Sequence, residues 1–314
     1  MNGKIPDVSV CLISYNQKAY VRKAITSVLK QITEYDMEII VVDDCSTDGT
    51  QNEIIKLQKE YPGKFKAILL DHNTYYSDNN AFTRAVNMAE GKYINIVECD
   101  DYFISKYKID RQVRFLETHN GYNSVTCLCR IVDENGNDTN EEFSNYKRCT
   151  GYSIKNWASG VYPGQTASLI YVNPKYHNEI DWRLTRKRYY AGDQCKIVTL
   201  AVFGQIYCMQ EYMTAYRHVK TDGNSFSATY KFNFSDEEIE YRDIFFFIKE
   251  YGGFLDKCYA EDRYFKTLIK GIDNKDIGYE KALEYCDNSK VFFTLFYFIV
   301  TLRRCACKML KLNM

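Results

Sequence analysis

Residues 93–102 read Tyr93-Ile94-Asn95-Ile96-Val97-Glu98-Cys99-Asp100-Asp101-Tyr102, an apolar run that ends on two adjacent acids. The run has the length and the β-branched content of a buried strand. In an open α/β sheet, ligands bind at the carboxyl ends of the strands. Paired carboxylates at such an end are the hard oxygen ligands that Mg²⁺ and Mn²⁺ prefer. The pattern predicts a metal site at Asp100 and Asp101, and the plainer alternative is a solvated turn that caps the next helix.

Three more strand-like runs precede this one, and segments with helical spacing of their apolar residues lie between them. A strand, helix, strand order repeated at this spacing predicts a parallel sheet with right-handed crossovers. The second run also ends on two acids, Asp43 and Asp44, so both acid pairs should lie along one edge of the sheet. The runs are Val8–Ile13, Glu38–Val42 and Lys66–Leu70, the first helix covers residues 18–31, and Gly91 is expected to cap the third helix.

The pattern loosens after residue 105 and becomes mainly helical after residue 235. We therefore predict an α/β domain over residues 1–225 and a helical region over residues 226–314. The later strands are expected at Ser124–Val132, Gln165–Val172, Ile206–Met209 and Met213–Tyr216, and the helices at Lys108–Thr118, Asp236–Tyr251, Leu255–Lys270 and Tyr279–Cys286.

Charge and cysteine usage narrow the class of protein. The 314 residues carry 41 basic and 41 acidic side chains, which argues against a nucleic-acid partner because such proteins carry a basic excess. The 12 cysteines are scattered through the expected strands and helices, and no signal peptide is recognisable at the first residues. We expect reduced thiols and a cytoplasmic location, and the C-x-C spacings do not favour a structural zinc site.

The segment 291–311 combines an aromatic-rich apolar run with a basic end. Its apolar part is shorter than the roughly 20 residues that cross a bilayer, whereas an apolar helix with a basic end is typical of an interfacial anchor. We expect contact with the inner face of the cell membrane. The alternatives are that this helix packs on the protein's own core or on a second copy in a homodimer.

Three separated motifs, in order, resemble family 2 glycosyltransferases: Val8–Asn16, Ile40–Thr50, and Ala89–Ile94 leading to Asp100 and Asp101. The resemblance covers about residues 5–220. It implies a GT-A (Rossmann-like) fold, an α/β architecture with a mostly parallel central sheet flanked by helices, here with a helical C-terminal extension. It also implies a nucleotide-sugar donor, which we expect to be UDP-linked, Mn²⁺ or Mg²⁺, and inversion at the anomeric carbon.

The resemblance also implies roles for individual residues. Asp193 would be the catalytic base, with an N-cap for its own helix as the alternative, and Asp101 would bind the metal. Four parts of the nucleotide-sugar would then be contacted. Ile13, Ser14 and Tyr15 would line the base pocket, and Asp44 would hydrogen-bond a uracil-type base. Asp100 would contact the ribose or sugar, and Arg217 and His218 would lie at the diphosphate.

These roles fit the chemistry of glycosyl transfer. Charge develops on the leaving diphosphate, which a cation stabilises, and the acceptor hydroxyl needs a carboxylate to take its proton. Two departures from the family pattern are Cys45 and Cys99, both small residues in place of glycine, and the loop Asn73–Asn80 lacks the usual glycine-rich, arginine-bearing form.

The sequence thus predicts a glycosyltransferase that acts on a hydroxyl of a glycan acceptor, expected to be lipid-linked, in capsule, O-antigen or exopolysaccharide synthesis. The alternative is a non-catalytic nucleotide-sugar-binding protein that acts in assembly. A nucleotidyltransferase is disfavoured because Ser14-Tyr15-Asn16-Gln17 is not a glycine-rich basic loop. The acceptor itself is not identified by any motif.

Overall fold

The computed structural model describes residues 5–143, 151–186, 193–219, 232–286 and 289–312, the last eight of these by their backbone alone. The chain divides into two compact units, Met1–Tyr230 and Lys231–Met314. This division lies close to the predicted boundary at residues 225 and 226.

The first half of the first unit alternates strands with helices. Helix α1 buries Val21, Ala24, Ile25 and Val28, at the spacing of one helical face, and the strands are buried along most of their length because helices cover the sheet. The elements are β1 (Val8–Ser14), α1 (Val21–Leu29), β2 (Met37–Asp43), α2 (Thr50–Glu60), β3 (Lys66–Leu69), α3 (Ala81–Met88) and β4 (Tyr93–Glu98).

The second half of this unit contributes further strands and shorter helices. Its elements are β5 (Tyr102–Phe103), α4 (Lys108–Thr118), β6 (Tyr122–Val132), α5 (Ile154–Ala158), β7 (Ile170–Val172), α6 (Arg183–Arg186), α7 (Asp193–Phe203) and β8 (Gln205–Arg217).

All eight strands form one sheet in the order β3-β2-β1-β4-β7-β6-β8-β5. The pairs β1–β2, β1–β4, β2–β3 and β6–β8 are parallel and the other three are antiparallel. In register, Ser14 pairs with Asp43 and Ile13 with Glu98. The predicted fold is therefore confirmed, and the two acid pairs end at the same level on either side of β1.

Three local predictions were wrong. The expected strand Gln165–Val172 begins with a 3₁₀ turn, Thr166–Ser168, because the Gln165 side chain caps it by accepting the N–H of Ala167. The two short strands expected at 206–209 and 213–216 are one strand, β8, whose pairing with β6 is irregular in its middle.

Gly91 does not cap α3, which is the third error. The cap is Ala89, with extended backbone, and Gly91 lies against β1, where its N–H donates to Ser9 Oγ over 2.7 Å. A Cβ at Gly91 would overlap the backbone nitrogen of Ser9. The glycine is needed for close packing and not for a left-handed cap.

The second unit is helical, as predicted. Its helices are α8 (Phe234–Tyr251), α9 (Phe254–Asp273), α10 (Tyr279–Tyr285) and α11 (Lys290–Leu312). One face of α11 packs within the unit through Phe293, whose ring centroid is 5.1 Å from that of Phe265 and 6.1 Å from that of Tyr279. Within the described ranges, no helix is both long and apolar enough to cross a membrane.

Candidate active site

The end of β2 is held by an internal carboxylate. Asp43 is fully buried, and its Oδ2 accepts from Ser14 Oγ over 2.7 Å and from Ser46 Oγ over 2.6 Å. The Oγ of Ser46 accepts in turn the N–H of Asn16 over 2.8 Å. Asp43 therefore fixes the loops after β1 and β2 against each other, which shapes the predicted base pocket.

The next residue, Asp44, ties the same edge to the loop after β3. Its Oδ1 accepts the N–H of Thr74 over 2.7 Å and the Thr74 hydroxyl over 2.6 Å. The structure places Ile13 and Ser14 at the end of the neighbouring β1, and Tyr15, just beyond it, is about half exposed at 49%. The predicted base-pocket residues are thus brought together around one edge of the sheet.

Asp101, the predicted metal ligand, is enclosed by protein. It is 1% exposed, its Oδ1 accepts the N–H of Arg217 over 2.8 Å, and its other oxygen accepts a short hydrogen bond from Gln165 Nε2. Burial, followed by the charges of Asp100 and Glu98, raises the pKa of Asp101 well above its usual range. Its geometry is that of an internal support.

Asp100, the other acid of this pair, has a carboxylate oxygen without a hydrogen-bond donor among the described residues. Its Oδ1 is shielded from solvent and accepts no hydrogen bond from any residue that the structure describes. Desolvation raises its pKa, while hydrogen bonds from the backbone N–H groups of Asp100 and Asp101, the charge of Arg217 and a hydrogen bond from the Gln17 side chain act in the opposite direction. A buried, unpartnered carboxylate oxygen is costly without a ligand, and a cation would satisfy it.

Glu98, the last residue of β4, is a third acid here that the sequence reasoning missed. Solvent reaches its side chain, yet the surrounding protein removes enough water to raise its pKa to about 7, with the charges of Asp100 and Asp193 adding to the effect. The sequence feature that could have identified it is an acid at the solvent-exposed end of a strand, two residues before Asp100.

Asp193, the predicted base, is the first residue of α7 and is exposed to solvent. Its Oδ1 accepts the N–H of the adjacent Gln194 over 2.9 Å. Desolvation raises its pKa, and the charge of Lys196 opposes the rise. The charge of Asp193 is in turn one of the causes that raise the pKa of Glu98.

Arg217 and His218 occupy different surroundings. Arg217 is 3% exposed, and its guanidinium donates to the carbonyl oxygens of Asp100, Asp133 and Glu134 over 2.6–3.0 Å. The guanidinium also lies over the Tyr20 ring, 4.2 Å from its centroid. His218 is half-buried, with Nδ1 3.4 Å from Glu141 Oε2. Arg217 is thus bound to protein carbonyls on several sides.

Among the described residues, no group of three or more His, Cys, Asp or Glu side chains is arranged to hold a metal by itself. Six of the described cysteines are free thiols: Cys11, Cys45, Cys99, Cys127, Cys129 and Cys258. Any cation at this edge would therefore complete its shell with oxygens from a ligand or water, as Mg²⁺ commonly does with phosphates.

The sheet order, with carboxylates at the ends of β2 and β4 and at the start of α7, defines a GT-A domain. The model of the family described as Glycosyl transferase family 2 matches residues 9–181, more than half of the chain, and the chain belongs to this family.

Relatives agree with that assignment. The chain is 30% identical over 214 residues to the uncharacterized protein Rv1520 of Mycobacterium tuberculosis. This aligned region covers 67% of this chain and 58% of the relative. It is 33% identical over 111 residues to an Escherichia coli protein named UDP-Glc:alpha-D-GlcNAc-diphosphoundecaprenol beta-1,3-glucosyltransferase WfaP, covering 35% of this chain and 41% of WfaP. The chain therefore spans less than two thirds of the length of these relatives.

Among solved structures, S. aureus TarS 1–349 in complex with UDP-GlcNAc superposes with a TM-score of 0.63. The identity is 19%, and the match covers 90% of this chain and 79% of that one. A likeness at this identity establishes the GT-A fold alone.

Proposed function

We propose that this chain is an inverting, metal-dependent glycosyltransferase that moves a sugar from a UDP-linked donor to a hydroxyl group of a glycan acceptor. The observation that carries the proposal is the placement of Asp44 and Asp100 just beyond the ends of β2 and β4, on either side of β1 at one edge of the sheet. Family membership supports the reaction class. WfaP is named for UDP-Glc, and the TarS structure is a complex with UDP-GlcNAc. Both names support a UDP-linked donor.

The proposed metal ligand is Asp100 in place of Asp101. The unpartnered Oδ1 of Asp100 fits a hard cation, whereas both oxygens of Asp101 already accept hydrogen bonds from protein groups. A bound Mn²⁺ or Mg²⁺ would stabilise the charge that develops on the leaving diphosphate. In this assignment Asp101 holds the turn that presents Asp100.

Asp193 is the proposed general base. It is open to solvent at the start of α7, and desolvation makes its carboxylate more basic, which favours removal of a proton from a weakly acidic hydroxyl group. Asp44, Ile13, Ser14 and Tyr15 remain the proposed contacts for the base. Their position at the ends of β1 and β2 is where open α/β sheets bind ligands.

A thermal-shift panel of nucleotides and nucleotide sugars with Mn²⁺, Mg²⁺ or EDTA tests the donor and the metal. A ligand at a hundred dissociation constants should stabilise the native state by about 2.7 kcal/mol. We expect a metal-dependent shift with UDP and UDP-sugars and not with GDP-sugars. Folded protein that responds to no nucleotide would favour the non-catalytic alternative, and a shift followed by no turnover with any acceptor would favour a binding role in assembly.

The acceptor is proposed to be lipid-linked and to be met at the cytoplasmic face of the membrane. The supporting observation is the outer face of α11, where six apolar residues are between 48% and 71% exposed. At 100° per residue these positions form one stripe along the helix. The stripe consists of Val291, Phe292, Leu295, Phe298, Ile299 and Leu302.

Charge favours a lipid surface as the occupant of this stripe. Residues 290–312 contain five basic and no acidic residues, four of them after the stripe at Arg303, Arg304, Lys308 and Lys311. An apolar face with a basic end binds anionic bilayers in the plane of the interface.

Co-sedimentation with phosphatidylglycerol and phosphatidylcholine vesicles tests this surface. Replacing Leu295, Phe298 and Leu302 together by serine should abolish binding to the anionic vesicles. An Ile32→Ser variant, which removes an apolar side chain that is 50% exposed in the first unit, should bind as the wild type does. Undiminished binding of the triple variant would exclude this face. A dimer in solution that only the triple variant loses would assign the stripe to a second copy.

A further inference from the structure

The side chain of Gln17 reaches the proposed metal ligand but has no role in the reaction proposed above. It donates a hydrogen bond to the carboxylate of Asp100. The other polar atom of its amide, Oε1, is shielded from solvent and accepts no hydrogen bond from any residue that the structure describes. A buried amide oxygen is costly without a donor or a cation. The Gln17 amide is therefore satisfied at one end only.

The backbone of Gln17 is held in place without help from its side chain. Its N–H donates to Thr50 Oγ1 over 2.9 Å, and its carbonyl oxygen accepts the N–H groups of Tyr20 and Val21, each over 2.9 Å. These hydrogen bonds fix the turn between β1 and α1 against the first residue of α2. The fold therefore sets where this side chain lies, whatever its amide oxygen binds.

The two strand ends that precede Gln17 and Asp100 are joined beside the site. β1 and β4 are parallel neighbours, with Ile13 opposite Glu98. Beyond this pair, the N–H of Cys99 donates to the carbonyl oxygen of Ile13 over 2.9 Å. The unpartnered Oε1 of Gln17 and the unpartnered Oδ1 of Asp100 therefore lie at one edge of the sheet, on side chains that are hydrogen-bonded to each other.

Two neighbouring acceptor oxygens need a group that both of them can bind. Carboxylate and amide carbonyl oxygens are ligands that Mg²⁺ and Mn²⁺ prefer. Among the described residues, His, Cys, Asp and Glu side chains do not form a group of three that could hold a metal. A glutamine oxygen would therefore add a protein ligand that those four residue types do not supply.

We propose that Gln17 Oε1 is a ligand of the divalent cation, next to Oδ1 of Asp100, with phosphate and water oxygens completing the shell. This inference rests on the proposed function, in which Asp100 binds a metal. It gives the turn after β1 a part in metal binding that is separate from the base pocket. A hydroxyl group of the nucleotide that donates to both oxygens would occupy the same position without a metal, and the test below separates the two.

The first measurement does not need turnover. Isothermal titration calorimetry gives the affinity for UDP in Mn²⁺ and in EDTA, and the ratio of the two affinities is the contribution of the metal. Gln17→Leu should lower this ratio about tenfold, because the cation loses a ligand, and should leave the affinity in EDTA unchanged. Gln17→Glu should raise the ratio, because a second carboxylate adds charge to the shell of the cation. A side chain that only fills space would not produce that gain.

Electron paramagnetic resonance provides the second measurement. The signal of free Mn²⁺ is lost when the ion binds protein, so a Mn²⁺ titration in the presence of UDP reports the metal directly. The affinity for Mn²⁺ should fall from Gln17→Glu to the wild type and from the wild type to Gln17→Leu. Unfolding curves on each variant separate loss of fold from loss of the ligand.

Gln31, which lies just after α1 as Gln17 lies just before it, offers a matched control. It is also half-buried, but both ends of its amide are satisfied by protein. Its Nε2 donates to the carbonyl oxygen of Ser105 over 2.8 Å, and its Oε1 accepts the N–H of Ile109 over 3.0 Å. Gln31→Leu should therefore leave the ratio of UDP affinities unchanged.

The outcomes distinguish this inference from the proposed function. Equal weakening of UDP binding by Gln17→Leu in Mn²⁺ and in EDTA overturns the inference and assigns the two oxygens to a hydroxyl group of the nucleotide. An unchanged ratio in folded Gln17→Leu, an unchanged or lower ratio in Gln17→Glu, or a wild type that binds UDP without any dependence on Mn²⁺ also overturns it. A wild type whose metal-dependent binding requires Gln17, but which transfers sugar to no acceptor, instead refutes the proposed function.

Discussion

The backbone N–H of Arg217 donates a 2.8 Å hydrogen bond to Oδ1 of Asp101, which joins the end of β8 to the turn after β4. Gln165 donates to the other oxygen of the same carboxylate. Asp100 Oδ1, one residue earlier, accepts no hydrogen bond from the described residues. The two adjacent aspartates thus differ in their surroundings: Asp101 is held by protein groups, and Asp100 is the proposed ligand.

Asparagine substitutions should separate these two aspartates. Asp101→Asn places an amide N–H against the Gln165 amide donor, and a mismatched buried polar group costs about 1–3 kcal/mol. We expect a fall in the free energy of unfolding of that size. Asp100→Asn should not lower it, because the substitution removes a carboxylate charge whose burial is costly, and should instead abolish the metal-dependent part of nucleotide binding.

Urea unfolding gives the first quantity, and a Mn²⁺ titration of nucleotide affinity gives the second. Asp101→Asn protein that is as stable as the wild type but no longer responds to Mn²⁺ would return the metal to Asp101.

The sequence predicted the sheet and the edge where the acids meet because both depend on local patterns. Short apolar runs that alternate with amphipathic helices permit few arrangements, and the parallel β2, β1 and β4 bring Asp44 and Asp100 to one edge in any of them. The spacing of residues along one strand or helix face is encoded within about ten positions. These parts of the prediction were therefore correct.

Which of two consecutive acids is enclosed by protein is not encoded locally. The enclosure of Asp101 depends on Gln165 and Arg217, which lie 64 and 116 residues further along the chain. A glycine before a strand similarly suggested a helix cap at Gly91, whereas its contact is with β1.

Gly91 provides a test of that packing. In Gly91→Ala the new methyl group overlaps the backbone of Ser9, and inserting a methyl group into a packed site costs about 1–3 kcal/mol. Calorimetry should show a Tm lower by several degrees, at about 2–4 °C per kcal/mol for a domain of this size. Gly278→Ala is the control, because nothing lies within 4 Å of the added atom, and it should change stability by less than about 1 kcal/mol. Equal effects of the two would refute the close contact.

We expect Arg217 to contribute more to the stability of the fold than to binding of the donor. Arg217→Lys cannot bond the carbonyls of Asp100, Asp133 and Glu134 at once, since an ammonium lacks the planar fork of the guanidinium. We expect a loss of about 1–3 kcal/mol in unfolding free energy. The control is Arg130→Lys, which also removes a guanidinium from over an aromatic ring, that of Tyr212, but at a surface position where changes are within about 0.5 kcal/mol. Full stability with weakened binding of UDP would favour the original assignment to the diphosphate.

Glu98 should make the protein less stable as the pH rises through neutrality. Its pKa is about 7 in the folded protein, against 4.5 for an ordinary glutamate carboxyl. Between these two pH values the native state therefore holds a proton that the unfolded chain has released. Native stability from this group is therefore complete below about pH 4.5 and is lost as the pH rises through 7. Urea unfolding in EDTA at pH 5 and pH 8 should show a larger decline for the wild type than for Glu98→Gln, which cannot titrate. The sign of this difference is the decisive result. Parallel declines would mean that Glu98 is as well solvated in the folded protein as in the unfolded chain. The proposed carboxylate site would then lose its main electrostatic support.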